Sequence, residues 1–179
     1  MVKLIGNLIY LRALEYEDLD FLYQLENDTR FWEISNTTTP YSKATLRRYL
    51  ENAHRDIYDV KQLRLCICKK DSQALLGFVD LFDFDPKNKR AGIGLVVQQE
   101  EDRNKGFGIE AVSLCCDYGY NALGLHQIYA NVHEDNLPSV RLFQKLGFEQ
   151  TACKQDWTMV NGKYKNELLF QKIKGYDKS

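Results

Sequence analysis

Arg103-Asn104-Lys105-Gly106-Phe107-Gly108 lies between an apolar run, Ala91 to Val97, and a helix-like stretch from about Gly108 to Tyr120. Glycine at 106 and 108 lets the backbone approach a ligand closely. Where such a loop leads from a strand into a helix, its N–H groups converge on one point and the helix dipole reinforces them, which makes an anion site. Arg103 and Lys105 add local positive charge. Taken alone, the six residues are equally compatible with a solvated basic turn, because short glycine motifs are common. Two rival phosphate motifs do not fit. There is no G-x-x-x-x-G-K-[ST], and a dinucleotide site would place a third glycine where Ala111 stands and an acidic residue at the end of the following strand.

Outward from the loop, the upstream residues read as strands. Leu63 to Cys68 alternates, Lys69-Lys70-Asp71-Ser72 turns, Leu75 to Phe84 is a longer strand, and Asp85-Pro86-Lys87-Asn88 turns into Ala91 to Val97. That pattern predicts an antiparallel meander. Further back, Leu8 to Arg12 is a short strand, and the acidic run Glu15 to Asp18 opens a helix with Leu19, Phe21, Leu22 and Leu25 on one face. Thr29 to Thr39 is loop-like or a second short helix. Ser42 is an N-cap for a helix to about His54, with Leu46, Tyr49 and Leu50 as its apolar stripe. Downstream, Ile128 to Val132 is a buried strand, and Asp135 or Asn136 caps a helix carrying Val140, Leu142, Phe143 and Leu146. Gly147 ends that helix. Gln155 to Val160 and Tyr164 to Ile173 flank Asn161-Gly162, a type I′ hairpin signal. The order predicts one α/β (α+β) domain over residues 1–179, without internal repeats, in which about four helices flank a mixed, mostly antiparallel sheet.

Composition narrows the class. At 179 residues, 44% hydrophobic and 27% charged, the chain has the make-up of one soluble globular domain. A net charge of -1, with no helix-turn-helix or RNA-stacking motif, argues against a nucleic-acid partner. No run approaches the about 18–20 apolar residues of a membrane span, and Met1 to Asn7 lacks the apolar core of a secretory signal. The five cysteines are odd in number, and neither Cys66/Cys68 nor Cys115/Cys116 has C-x-x-C spacing, so free thiols, a cytoplasmic setting and no metal are expected. Cys66 and Cys68 share one strand face, where a thiol behaves as a small hydrophobe.

Three segments occur in sequence: Gly92-Ile93-Gly94-Leu95-Val96-Val97, the loop Arg103 to Gly108, and Asn136-Leu137-Pro138-Ser139-Val140-Arg141-Leu142-Phe143-Gln144-Lys145-Leu146-Gly147-Phe148. Together they resemble the GNAT superfamily of N-acetyltransferases, whose motif R/Q-x-x-G-x-G/A after a strand is followed by N-x-x-[SA]-x-x-[LF]-[YF]-x-K-x-G-F. The resemblance is strongest from about Leu75 to Phe148 and extends to about residue 173. It implies acetyl-coenzyme A as cosubstrate and direct attack by an amine in a ternary complex. It also implies a sheet splayed at the cofactor site. Leu95, Val96 and Val97 would bind the pantetheine arm through their main chain, and Arg103, Asn104, Lys105, Gly106, Phe107 and Gly108 would hold the pyrophosphate. Asn136, Ser139, Leu142 and Phe143 would line the channel, although Asn136 as a simple N-cap and Leu142 and Phe143 as simple core are equally open readings.

The catalytic half departs from the pattern. Many relatives carry a tyrosine acid where Phe143 stands and a glutamate where Gly92 stands. Ser139 is then the candidate hydrogen-bond donor to sulfur, with Tyr129 and Tyr164 as further candidates, and Asp80 or Asp83 or a water chain would replace the base. Main-chain N–H near Val96 would polarise the thioester carbonyl.

Leu11 to Glu15 with Asp18, Asn27-Asp28, and Val160 to Tyr164 resemble two branches of the family, one acetylating polyamines and the other N-termini of ribosomal proteins. A cationic acceptor calls for carboxylates and aromatic faces: Asp28, Glu33, Asp80, Asp83, Asp85 and Asp156, with Trp32 and Trp157, are the candidates, against a reading of each as ordinary surface. The expected partner is therefore a small amine, with a protein N-terminus as the alternative. A coenzyme A-binding sensor without turnover is the reading of a different class, and a homo-oligomer is left open.

Overall fold

The computed structural model describes residues 4–175; the reading of Met1 to Asn7 rests partly on residues outside that span. Seven strands form one sheet: β1 Ile9–Arg12, β2 Leu63–Lys69, β3 Leu75–Asp85, β4 Arg90–Val97, β5 Gln127–His133, β6 Glu149–Val160 and β7 Lys163–Ile173. Their spatial order is β1-β2-β3-β4-β5-β7-β6. Every neighbouring pair is antiparallel except β4 with β5, which is parallel. The expected meander is β2-β3-β4. The hairpin is also present, and Asn161 (φ 51°) and Gly162 (φ 77°) take the two left-handed conformations that a type I′ turn requires.

Alternation along the strands splits the core between the two faces of the sheet. Leu65 and Ile67 of β2, Ile93 of β4 and Ile128, Ala130 and Val132 of β5 pack with α5 (Phe107–Asn121) and α6 (Leu137–Lys145). Cys66, Cys68 and Phe78 point the other way, against Leu22 and Leu25 of α1 (Leu19–Glu26) and Leu46 and Leu50 of α3 (Lys43–Glu51). Full burial of an aliphatic or aromatic side chain stabilises the fold by about 1.5–3 kcal/mol, so these two clusters hold the layers together.

Among the described residues the helices number six rather than about four. The two extra ones are α2, Thr29–Ser35, and α4, Ile57–Val60, both too short to show a hydrophobic period. Each starts at an aspartate whose side chain accepts from the amide two residues on, Asp28 from Arg30 and Asp56 from Tyr58. The acidic run at 15–18 forms a 3-10 turn, Tyr16–Asp18, ahead of α1, and the Glu15 amide donates to Asp18 at 2.8 Å. Ser42 caps α3 as expected, and of the two candidates at α6 it is Asn136 that caps, accepting from the Ser139 amide at 3.3 Å. Gly147 (φ 78°) follows α6.

Candidate active site

The site begins where the sheet opens. β4 and β5 are paired only from Arg90–Gln127 to Gly92–Tyr129. Beyond these pairs both strands continue, β4 to Val97 and β5 to His133, without bridging. The Gln98 amide donates to Leu76 of β3 at 3.0 Å, so alternation turns the main-chain groups of Val97, Leu95 and Ile93 away from β3, towards the gap. The Arg103 guanidinium takes the Val97 carbonyl at 3.3 and 3.4 Å, on that side. Val96 points its own main-chain groups at β3, so the gap-facing amides beside it are those of Leu95 and Val97. The splay expected from the resemblance is present.

The loop from Arg103 to Gly108 closes one end of the gap. Asn104 (φ 59°) and Gly106 (φ 88°) are left-handed, and Gly106 is the N-cap of α5 with no side chain capping the helix. Among the described residues, the amides from Asn104 to Ile109 find no intramolecular acceptor; the first to do so is that of Glu110, on the Gly106 carbonyl at 3.0 Å. A cluster of undonated amides at the start of a fifteen-residue helix suits an anion. Gly108 has a different reason to be glycine. A Cβ there would stand 3.1 Å from Leu95 and 3.2 Å from Leu142, so the loop is wedged between β4 and α6. The local charge is less positive than the sequence suggested, because Asp102 holds Lys69 at 2.7 Å and lies 3.8 Å from Lys105.

Of the channel residues proposed on α6, Leu142 borders Gly108 as described, and Ser139 is half-buried one turn from Asn136. Phe143 is buried, edge-on to Phe148 with centroids 5.1 Å apart and stacked on Phe170 at 6.4 Å. The structure places it in the core, not on an open wall.

Gly92 also has a steric explanation. A Cβ at Gly92 would lie 2.3 Å from the Phe82 ring, so a glutamate there would displace that ring. Phe82 in turn meets Tyr129 edge-on at 6.0 Å. The Tyr129 hydroxyl donates to Asp83 at 3.4 Å, and burial, then the Asp83 carboxylate, push its phenol up, so it stays protonated at neutral pH.

The proposed acceptor carboxylates are mostly engaged. Asp28 is tied to Arg30 at 2.6 Å, and that hydrogen bond lowers its titration. Asp80 takes Arg64 at 2.8 and 2.9 Å, while the same guanidinium reaches Glu26 at 2.5 Å. Burial disfavours the Arg64 charge, but the Asp80 carboxylate more than restores it. Asp85 holds Asn88 and Arg90 in the β3–β4 turn. Asp156 sits left-handed (φ 48°) where the β6–β7 register shifts. Trp32 donates to the Glu26 carbonyl at 3.0 Å, whereas Trp157 and Tyr164 are exposed on the hairpin, Trp157 beneath the Lys154 ammonium.

Glu33 belongs to a group that sequence reasoning did not assemble. Lys165 bridges Glu33 and Asp135, each at 2.6 Å, and His133 Nδ1 stands 3.5 Å from Glu33. These residues come from α2, β5, the turn after β5 and β7. The available signal was the alternation of β5: with Ile128, Ala130 and Val132 inward, Tyr129, Asn131 and His133 share the opposite face. No helix among the described residues is long and apolar enough to cross a membrane.

The sequence model of the family described as acetyltransferase (GNAT) domain matches residues 9–149. An uncharacterized N-acetyltransferase, p20, of Bacillus licheniformis is 29% identical over 165 residues, covering 92% of each chain. Spermidine N(1)-acetyltransferase of Escherichia coli K12 is 28% identical over 163 residues, 89% of this chain and 83% of that one. Among solved structures, spermidine N-acetyltransferase from Vibrio cholerae in complex with CoA and spermine superposes with a TM-score of 0.83, covering 94% of this chain and 96% of that chain at 24% identity. At that identity the likeness is one of fold.

Proposed function

Given that this chain belongs to the GNAT acetyltransferase family, whose acetyl donor is acetyl-coenzyme A, we propose that it acetylates a primary amine of a small polyamine. The opened β4–β5 gap beside the undonated amides of α5 carries the reading. In it, the amides from Lys105 to Ile109 receive the pyrophosphate, with Arg103 swinging from the Val97 carbonyl to join them. Leu95 and Val97 pair with the pantetheine arm as an added strand would, and a gap-facing amide of β4 takes the thioester oxygen as it gains charge. Ser139, half-buried near the gap, is the candidate donor to sulfur, since Phe143 has no proton to give.

The acceptor class rests on the spermidine-acetylating relatives and on the carboxylates of the face opposite α5 and α6, Glu33, Asp83 and Asp135; Asp80 is taken up by Arg64. A polyamine offers several ammonium groups, so one can be held while another reacts. The five thiols, free throughout and four of them buried, suit a reducing cytoplasm.

A thiol-release assay with acetyl-coenzyme A and separate acceptors tests the acceptor class. The expected result is kcat/KM highest for spermidine or spermine, above aminoglycosides and above peptides with free N-termini. A preference for the peptides would move the acceptor to a protein N-terminus.

A further inference from the structure

We propose that His133, oriented by Glu33, takes the proton from the acceptor amine. The inference rests on the acetyl-transfer reading and supplies the base that Gly92 does not. Its first support is register. The β4–β5 pairing advances from Arg90–Gln127 to Gly92–Tyr129 and then stops; continued along both strands, it sets His133 across the gap from Val96, flanked by the gap-facing amides of Leu95 and Val97. The second is side-chain direction. His133, Asn131 and Tyr129 share the face opposite α5 and α6, and so do Gly94 and Val96 across the gap. An amine approaching from that face meets the thioester and the imidazole together.

The third support is the imidazole's own setting. It is mostly buried, and Nδ1 faces the Glu33 carboxylate at 3.5 Å, longer than a hydrogen bond but short enough to become one when the ring gains charge. Among the described residues no hydrogen bond engages Nε2, which is left to face the amine. The other charged groups around the ring are already paired. Lys165 of β7 bridges Glu33 and Asp135, Glu167 of β7 pairs with Lys154 of β6, and Glu134 accepts from Asn166. Lys165 thus fixes the Glu33 carboxylate at the edge of the ring. The rival proton acceptors are less suited: Asp80 is committed to Arg64, and Asp83 faces the Tyr129 hydroxyl.

His133 Nε2 takes one proton from the ammonium of the acceptor, and the freed lone pair forms the N–C bond at the thioester carbonyl. The C–S bond breaks with its pair on sulfur. The nitrogen then loses its second proton, the thiolate takes up one, and one proton in all passes to solvent.

The test compares wild type, His133→Gln, His133→Asn and Glu33→Gln, using kcat across pH with spermidine and direct titration of acetyl-coenzyme A. Loss of a general base predicts that both His133 variants fall about 100-fold or more in kcat, lose the limb on which rate rises with pH, and keep the wild-type acetyl-coenzyme A affinity. Glu33→Gln should fall less, by about 10-fold, and keep the limb, because the imidazole loses only the carboxylate that orients it. A His133 variant with wild-type kcat and an intact limb would overturn the proposal while leaving acetyl transfer standing. So would cofactor affinity lost in step with rate in both variants, which would make the residue structural. Wild type that binds acetyl-coenzyme A but turns over no acceptor would overturn the acetyl-transfer reading and this proposal with it.

Discussion

At the scale of single residues, two positions that look like missing catalysts are accounted for by packing: Phe143 is buried against Phe148 and Phe170, and Gly92 is the second. Gly92 lies under the Phe82 ring, 2.3 Å from where a Cβ would be. Gly92→Glu should therefore cost about 1–3 kcal/mol, the usual range for overpacking, as read from a shifted urea midpoint, without raising kcat. Asp18 shows the opposite situation, a charge the fold depends on. Burial would raise its titration, but the hydrogen bonds from Arg12, 2.7 and 2.8 Å, and from the Glu15 amide outweigh it, and the carboxyl titrates below its ordinary value. A depressed folded-state value means that its contribution is complete above the unfolded carboxylate range, about pH 4, and is lost as pH falls through the folded value. Asp18→Asn should lower Tm at pH 7, and the gap to wild type should close as the pH drops below 4. A constant gap down to the lowest pH would refute the assignment.

Among the elements, the glycine loop is braced from a distance. Glu110, in the first turn of α5, accepts from the amides of Asn7, Leu8 and Ile9 at 2.6, 2.8 and 2.8 Å. Those bonds carry Leu8 to within 3.3 Å of a Cβ built on Gly106. Hydrogen bonds to a charged group contribute about 1.5–3 kcal/mol each, and these amides are partly solvated, so Glu110→Ala should cost about 2 kcal/mol in all. It should also weaken acetyl-coenzyme A binding, because the loop loses its outer wall; titration calorimetry alongside chemical denaturation checks both. Nothing at Glu110 announces this in the sequence, since the bonds span about a hundred positions. The strands, by contrast, were legible: alternation and turn residues predicted β2-β3-β4 to within a residue and the Asn161-Gly162 turn, although β6 starts at Glu149, six residues before the expected Gln155. Of the short helices, α2 falls within the stretch read as loop or short helix, whereas α4, a single turn, has no period to read, only the aspartate that caps it.

Across the whole molecule, the two halves of the site differ in legibility for a physical reason. The proposed cofactor half lies in contiguous segments, so Arg103 to Gly108 and Asn136 to Phe148 could be read directly. The proposed acceptor half lies among long-range pairs, Glu33 with Lys165 and His133, and Arg64 with Asp80 and Glu26, which join α1, α2 and four strands. A list of acidic residues does not reveal which of them are already neutralised by a neighbour, and here most are. Asp28 and Asp80 are taken up by Arg30 and Arg64, whereas Glu33, held by Lys165, also reaches the His133 imidazole. Both halves depend on the parting of β4 and β5 beside the start of α5. The most direct measurement of that claim is calorimetric titration of acetyl-coenzyme A into wild type and Gly106→Val, with circular dichroism confirming that the variant keeps its fold. One site is expected in the wild type, competed by free coenzyme A, with binding reduced at least about tenfold, or 1.4 kcal/mol, in the variant. Equal affinity in the two proteins, or no binding to the wild type, would contradict it.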